Sequence, residues 1–266
     1  MIEIRDIYKT FNPGTINEKL ALNGINLTLN DEDFCTVIGG NGAGKSTMLN
    51  ALAGVWPVDS GNVVIDGEDV TSLSEYKRAK HIGRVFQDPM TGTVADMEIV
   101  ENLALAARRG QRRGLSWGVK IDEKEKYREM LAELDLGLED RMSSKVGLLS
   151  GGQRQAITLL MATIRKPKLL LLDEHTAALD PKTAAKVLEL SDKIISENKL
   201  TALMVTHNMK DAIAHGNRLI MMNEGKIILD ISGEEKKKLT VEHLLEKFEQ
   251  VSGSKLENDR MLLSTD

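Results

Sequence analysis

A lysine and two hydroxyl residues close a glycine-rich run, GGNGAGKST, at residues 39–47. The spacing Gly39-x-x-x-x-Gly44-Lys45-Ser46 is that of a phosphate-binding loop, and the run lies between an apolar stretch, FCTVIG, and a segment typical of a helix, KSTMLNALAG. Glycines here let backbone N–H groups turn inward around a phosphate, and the start of a helix adds partial positive charge. We therefore expect this phosphate loop, residues 39–47, to bind nucleotide phosphates through Gly39, Asn41, Gly42, Ala43, Gly44, Lys45, Ser46 and Thr47.

A metal ion bound with such phosphates needs a carboxylate, and LLLLDE at residues 169–174 supplies two. Lys45 is expected to bridge the β- and γ-phosphates, and Ser46 to bind Mg²⁺. Asp173 ends an apolar strand at the carboxyl edge of the sheet, where it can hold Mg²⁺ through water. Glu174 can polarise a water in line with the γ-phosphate, a general-base role worth roughly 10²- to 10⁴-fold. Together these residues predict hydrolysis of a nucleoside triphosphate.

A second glycine turn, Leu149-Ser150-Gly151-Gly152-Gln153, precedes the segment GQRQAITLLMATIRK. We expect it to open a helix and to present N–H donors and a helix dipole to an anion. A plain helix N-cap would need the same residues, so this alternative stays open. One chain thus carries two surfaces suited to phosphate.

Strands and helices alternate along the chain, which predicts an α/β fold with a mostly parallel sheet covered on both faces. Residues 1–11, 21–30 and 61–70 are expected to pair as a small antiparallel layer. We expect one domain over residues 1–231, with a helical subdomain at about 88–166, and then a helical appendage and polar tail over 232–266.

Composition restricts the function further. Acidic residues (40) outnumber basic residues (35), so we expect no general nucleic-acid binding. A single cysteine, Cys35, excludes a disulfide within the chain and is expected to be a buried, inert thiol. No apolar stretch approaches the roughly 20 residues of a membrane span, and the N-terminus lacks the pattern of a signal peptide. We expect a cytoplasmic protein that reaches the membrane only through another chain.

The phosphate loop, the turn at 149–153 and LLLLDE, in this order, resemble the ATP-binding subunit of an ABC transporter over about residues 1–230. LSGGQ is the signature sequence of that family. The resemblance implies a P-loop NTPase fold of the ABC type, with ATP and Mg²⁺ as cofactors. It also implies a homodimer in which the signature turn, through Ser150, Gly151, Gly152 and Gln153, caps the γ-phosphate of ATP on a second copy of the chain.

The same resemblance implies roles for single residues. Gln87, in VFQDP, would contact Mg²⁺ and the attacking water. His207, in VTHNM, would contact the γ-phosphate and orient the general base. Asp180, in AALD, would lie in the loop that connects the two nucleotide sites. Phe11 would stack on adenine, a role for which Tyr8 competes.

Two positions depart from the family pattern. His175 stands where proline is usual, either as a tolerated substitution or as a titratable group at the catalytic edge, and AALD replaces the commoner SALD. DEHTAALD is similar to a subgroup associated with amino-acid uptake. The segment before the signature, SSKVGLL, lacks the glutamate that is usual in exporters of the family. The resemblance therefore favours import, with an integral membrane permease and an extracytoplasmic solute-binding protein as partners, and a position on the inner face of the cell membrane. Export, lipoprotein release and soluble cofactor assembly are the alternatives.

Overall fold

A computed structural model describes residues 1–111 and 118–252 of the chain. In these residues the strands, in chain order, are β1 (Ile2–Phe11), β2 (Lys19–Leu29), β3 (Phe34–Ile38), β4 (Ser60–Ile65), β5 (Glu68–Asp69), β6 (Ile82–Val85), β7 (Leu169–Asp173), β8 (Ala202–Val205), β9 (Arg218–Asn223) and β10 (Lys226–Ser232). The α-helices are α1 (Lys45–Ala53), α2 (Glu75–Arg78), α3 (Ile99–Ala107), α4 (Ile121–Ala132), α5 (Gly151–Thr163), α6 (Pro181–Asn198), α7 (Met209–Ala214), α8 (Gly233–Lys237) and α9 (Val241–Ser252). Within the described parts of the chain, every helix lacks the length or the apolar character that crossing a membrane requires.

The chain forms two compact units. The first unit comprises Met1–Arg78 with Lys199–Asp266, and the second unit comprises Ala79–Asn198. The phosphate loop belongs to the first unit, whereas LLLLDE and the signature turn belong to the second. Each unit therefore carries part of the predicted chemistry.

The first unit contains the antiparallel layer that the sequence predicts. Its strands follow the order β2-β1-β4-β5. Ile2 lies opposite Leu29 on one side and Ile65 on the other, and all three side chains are buried. Along β1, Ile2 and Ile4 are buried whereas Glu3 between them is half-buried. The buried residues of the three strands give the layer one apolar face.

The first unit also contains parallel strands. Strand β3 pairs in parallel with β8 and β9, and β9 forms an antiparallel hairpin with β10. All five residues of β3 are buried, as expected for a strand covered on both faces. Because β3 and β8 run in the same direction, the segments after them leave the sheet at the same edge.

Within the first unit, helices α8 and α9 pack against the strands. Leu244 and Phe248 of α9 are buried in a cluster with Ile38 of β3. Lys236 of α8 is 3% exposed, and its Nζ donates to the carbonyl oxygen of Gly216 at 2.9 Å. The expected charged appendage therefore has a substantial apolar side. The polar tail beyond residue 252 lies outside the described residues.

The second unit joins β6 and β7 in parallel and contains α3 to α6. Its helix α4 carries an apolar stripe, in which Tyr127 and Leu131 are buried and Met130 is half-buried, and Leu134, just after the helix, is buried as well. Helix α6 begins at Pro181 and ends at Asn198, as Asp180-Pro181 predicts.

The next features are a buried thiol and a run of basic residues, RRGQRRG, at 108–114. Cys35 is fully buried, as expected, and desolvation raises the pKa of its thiol to about 12, which favours the unreactive protonated form. In the basic run at 108–114, Arg108 pairs with Glu123 at 2.8 Å and Arg109 donates to the Ala162 carbonyl oxygen at 2.9 Å. The rest of that run, from residue 112, lies outside the described residues.

Candidate functional site

The phosphate loop leaves β3 and ends in α1, in the arrangement that its sequence predicts. Gly42 and Gly44 have φ values of 78° and 102°, a region that L side chains rarely adopt. Gly44 is the N-cap of α1, and a Cβ added there would lie 2.6 Å from the Ala21 carbonyl oxygen. Glycine is therefore required at this position for its conformation and for its lack of a side chain.

Lys45 lies inside this loop. Its side chain is 5% exposed, and Nζ donates to the carbonyl oxygens of Gly39 at 2.6 Å and Gly40 at 3.2 Å. Ser46 is exposed in the first turn of α1, where its hydroxyl is open to a ligand. An ammonium group, a helix N-terminus and an exposed hydroxyl together fit a triphosphate with its metal ion.

A second ammonium group lies beside the loop. Nζ of Lys19 would be 3.1 Å from a Cβ built on Gly42. Lys19 opens β2, and its Cα lies opposite Phe11, the last residue of β1. The register of these two strands thus brings Phe11 towards the phosphate loop. The hydroxyl of Tyr8, the competing aromatic residue, instead points to Gly24, 2.9 Å from a Cβ built there.

His207 follows β8 in the same unit. The backbone N–H of Thr206 donates to the Val37 carbonyl oxygen at 3.1 Å, so the chain before His207 lies against the end of β3. The loop with the lysine and the loop with the histidine consequently leave neighbouring parallel strands at one edge. The first unit therefore brings together Phe11, the phosphate loop and His207.

The second unit positions the two carboxylates at the end of β7. Nη2 of Arg84 donates to Oδ2 of Asp173 at 3.1 Å, and the two side chains are 12% and 16% exposed. Glu174 follows with φ of 47°, an uncommon conformation for a residue with a side chain. Such backbone strain is frequent at functional sites, where the surrounding structure holds it in place.

Gln87 lies at the same edge as these carboxylates. Strands β6 and β7 are parallel, and Val85 lies opposite Leu172. Gln87 comes shortly after Val85 and Asp173 directly after Leu172, so both residues lie where the two strands end. Buried Gln155 of α5 donates to the Phe86 carbonyl oxygen at 3.2 Å and fixes the backbone just before Gln87. Carboxylate and amide oxygens are ligands that suit Mg²⁺, so this donor set fits the expected metal.

The signature turn forms a complete capping box at the start of α5. Ser150 Oγ accepts from the Gln153 N–H at 3.3 Å, and Gln153 Oε1 accepts from the Ser150 N–H at 3.2 Å. Ser150 and Gly151 are exposed, so the turn faces solvent in this chain. The N-cap alternative is therefore correct as a description of the local structure, and it is compatible with anion binding by the outer N–H groups.

The residues on either side of Asp180 contact the signature turn. A Cβ on Gly151 would lie 3.1 Å from Leu179 Cδ2, and one on Gly152 would lie 2.3 Å from Thr183 Cγ2. Asp180 Oδ1 accepts from the Thr183 N–H at 3.1 Å. Hydrogen bonds from the side chain and the backbone of Thr183 lower the pKa of the Asp180 carboxyl. The second unit thus brings the signature turn and Asp180 together.

His175 does not face the catalytic edge. Its side chain is 2% exposed, and Nε2 lies 3.0 Å from Ser191 Oγ of α6. The Ser191 hydroxyl donates to the Val187 carbonyl oxygen at 2.8 Å, which leaves His175 Nε2 as the donor to Ser191. The histidine that replaces the usual proline is therefore an internal, hydrogen-bonded substitution.

Three contacts at these sites were not predicted from the sequence: Arg84 with Asp173, His175 with Ser191, and Phe11 with Trp56. Each joins residues that are distant in sequence, and no local spacing marks such pairs. A buried strand with an arginine in place of an apolar residue, IGRV, is the one signal that could have indicated the first contact.

Comparisons with known proteins identify the family of the chain. A sequence model of the family described as ABC transporter matches residues 22–177. The chain is 44% identical to the tyrosine transport ATP-binding protein of Clostridioides difficile (strain R20291), over 94% of this chain and 99% of that protein. It is 36% identical to the spermidine/putrescine import ATP-binding protein PotA of Haemophilus influenzae, over 88% of this chain and 59% of that longer relative. The methionine import ATP-binding protein MetN 1 of Staphylococcus aureus (strain USA300) is 34% identical, over 86% of this chain and 64% of its own length.

Solved structures show the same fold. A dimeric ATP-binding cassette in a post-hydrolysis state, bound to ADP and Pi, superposes with a TM-score of 0.74 at 29% identity, over 87% of this chain and 98% of that one. The ADP conformation of another ATP-binding cassette of an ABC transporter gives a TM-score of 0.77 at 26% identity, over 95% and 97%. These likenesses confirm the predicted P-loop NTPase fold of the ABC type. The chain belongs to the ABC transporter family, as an ATP-binding subunit that hydrolyses ATP.

Proposed function

We propose that this chain is the motor subunit of an importer, in which two copies enclose two Mg-ATP and drive a separate membrane permease. The observation that carries the proposal is the presence of two unlike phosphate surfaces on one chain. The phosphate loop contains its own ammonium group, whereas the signature turn exposes Ser150 and Gly151 at the start of α5. A nucleotide held by the loop of one copy and capped by the turn of the other would use both surfaces.

In this proposal the phosphate loop wraps the phosphates and Lys45 neutralises their charge. Mg²⁺ bound by Ser46, Asp173 and Gln87 would supply further charge neutralisation as the terminal phosphate leaves. Glu174 accepts the proton of the attacking water, and His207 orients that glutamate. Phe11 stacks on the adenine.

The second copy contributes the signature turn. Ser150, Gly151, Gly152 and Gln153 donate to the γ-phosphate of the partner's ATP, with the N-terminus of α5 adding its dipole. Asp180 would then report the state of one nucleotide site to the other, which its contact with the signature helix through Thr183 supports. ATP thereby stabilises the dimer, and hydrolysis releases it.

The proposed cargo is a small solute such as an amino acid. The support is the 44% identity, over nearly the full length of both chains, to a protein named for tyrosine transport. The methionine and polyamine relatives are named for import. The proposed partners are an integral membrane permease and an extracytoplasmic solute-binding protein, with this chain on the inner face of the cell membrane and no nucleic acid involved.

Isolation of the complex tests this proposal. The tagged chain would be purified from detergent-solubilised membranes of its host, and its partners identified by mass spectrometry. We expect a multi-span membrane protein together with a solute-binding protein. A multi-span protein without a binding protein would favour export or lipoprotein release, and soluble partners alone would contradict transport and favour cofactor assembly.

Uptake measurements then test the cargo. Host cells that lack the gene would be complemented with the wild-type chain or with Glu174→Gln, and uptake of labelled tyrosine and of other amino acids compared. We expect wild-type complementation to restore uptake of at least one amino acid and Glu174→Gln to leave it at the level of the deletion. Unchanged amino-acid uptake in the deletion strain would contradict this substrate class.

A further inference from the structure

Trp56 packs against Phe11 in the first unit. The two ring centroids are 4.9 Å apart and the planes meet at 82°, an edge-to-face contact. This geometry is favourable because the positive edge of one ring meets the negative face of the other. Both side chains are half-buried, so part of each ring remains open to a ligand.

The loop that carries Trp56 is tied to the end of β1 by Asp59. The N–H of Thr10 donates to Asp59 Oδ2 at 2.5 Å, and Lys9 Nζ donates to Asp59 Oδ1 at 3.0 Å. The Asp59 N–H in turn donates to the Tyr8 carbonyl oxygen at 2.9 Å. These three hydrogen bonds hold the loop beside the residues that precede Phe11, so the contact between the rings is part of an ordered arrangement.

The charges around the ring add to this arrangement. Lys9 Nζ lies 5.7 Å from the centroid of Phe11, within the range of a cation–π interaction. On the neighbouring strand, Lys19 lies opposite Phe11 and reaches Gly42 of the phosphate loop. A nucleotide whose phosphates occupy the loop would therefore have its base on the side of Phe11.

We infer that Trp56 is a positioning residue for nucleotide binding: it sets the orientation of Phe11, and the pair forms the receptor for the base. The inference rests on the proposed role of Phe11 at the adenine. Trp56 acts through Phe11 and leaves the phosphates to the loop. Its contribution should consequently appear in the affinity for ATP and be missing from the affinity for a phosphate chain without a base.

The test compares MgATP with magnesium-bound inorganic triphosphate. Trp56→Leu removes the aromatic contact and should raise the Kd for MgATP about fivefold, the size of one aromatic pair. The Kd for triphosphate should remain within the error of the wild-type value. KM for ATP should rise by the same factor while kcat stays unchanged. Trp56→Phe, which keeps an aromatic ring, should restore most of the affinity for MgATP.

A matched control separates this effect from a general loss of stability. Tyr76 is an aromatic residue of the same unit that is 73% exposed, and Tyr76→Leu should leave both affinities unchanged. Trp117→Phe leaves Trp56 as the one tryptophan of the chain. Its emission should change on addition of MgATP and stay constant with triphosphate, because the base alone reaches Phe11.

Different results would overturn different claims. If Trp56→Leu weakens ATP and triphosphate equally, Trp56 has a structural role only, and if it weakens neither, the ring contact is irrelevant to binding. Either outcome would reject the inference while leaving the motor function intact. If the wild-type chain fails to bind MgATP, or Lys45→Ala binds it as tightly, the proposed nucleotide site itself is wrong.

Discussion

The phosphate loop and the signature turn both place glycines at the start of a helix, yet they are built differently. The loop relies on positive φ angles at Gly42 and Gly44 and encloses the ammonium group of Lys45. Gly151 and Gly152 of the signature turn have ordinary backbone angles, and the turn is closed by a capping box, with the Arg154 guanidinium donating outside the box to the Leu149 carbonyl oxygen at 3.2 Å. In the proposed dimer, the first would hold the nucleotide, whereas the second would add donors to the nucleotide site of the other copy.

The glycines therefore serve two different purposes. Gly44 is required by its own conformation and by the Ala21 carbonyl oxygen next to it. Gly152 has the φ angle of any helical residue, and it is small because a Thr183 methyl group lies against it. A glycine motif can thus mark a special backbone or a close contact between helices, and the structure distinguishes the two.

If ATP is bound but not hydrolysed, the phosphate loop of one copy and the signature turn of the other should remain on the same nucleotide. Glu174→Gln deletes the general base without changing the shape of the side chain, so kcat should fall by roughly 10²- to 10⁴-fold while ATP binding is retained. Size-exclusion chromatography with MgATP should then show a dimer that the wild-type chain forms only transiently. Hydrolysis at the wild-type rate would remove Glu174 from the mechanism.

Lys45→Ala should weaken phosphate binding by the phosphate loop and leave the signature turn unchanged. Loss of the charge-assisted contacts to the phosphates should raise the Kd for ATP by about 100-fold. Titration with a fluorescent ATP analogue measures this change, and circular dichroism checks that the fold persists. Because Lys45 contacts carbonyl oxygens of its own loop, Lys45→Arg serves as the control that keeps the charge but alters the geometry. Unaltered binding by Lys45→Ala would contradict the distinction drawn between the two turns.

Alanine substitutions test the two purposes of glycine directly. Gly44→Ala should lower the free energy of unfolding by about 3 kcal/mol or more, because strain and a backbone clash add. Gly152→Ala should cost about 1 to 3 kcal/mol through the clash with Thr183, and the double variant with Thr183→Ala should recover it. Denaturant unfolding of the four variants, with Thr183→Ala as the fourth, measures the coupling. Failure of the double variant to recover would show that Gly152 is also needed for its backbone.

Ser150→Ala should have the smallest effect on the isolated chain. Loss of the N-cap costs about 1 kcal/mol of stability, and ATP affinity of the monomer should remain unchanged. In the Glu174→Gln background the substitution should weaken ATP-dependent dimerisation, measured by analytical ultracentrifugation. Ser143→Ala, outside the turn, is the matched control. An equal dimer affinity with and without Ser150 would show that this hydroxyl adds nothing to the partner's site.

Local patterns in the sequence predict much of this structure. The strand, loop and helix around Lys45, the antiparallel layer and the start of α6 at Pro181 follow from spacing and capping rules that act over a few residues. The ABC fold and ATP hydrolysis follow from the combination of three such motifs and are confirmed by comparison. The roles of the individual site residues, and the domain limits, stay predictions.

Contacts between distant segments could not be predicted in this way. Arg84 and Asp173 meet because β6 and β7 pair in parallel, a register that neither segment encodes alone. His175 faces inward because α6 presents Ser191 to it. The apolar side of α9 was also missed, since its many charges hide the residues that pack on the first unit.

The packing of α9 against Ile38 has a practical consequence for reading genetic data. Strand β3 ends at Ile38, directly before the phosphate loop. Loss of Phe248 or Leu244 would therefore remove packing from the end of β3 and destabilise the strand that leads into this loop. Substitutions about 200 positions downstream of the loop would then be scored as ATPase defects, although they touch no nucleotide. Amide exchange along β3, faster in such variants and slowed again by ATP, would identify them as lesions of folding rather than of chemistry.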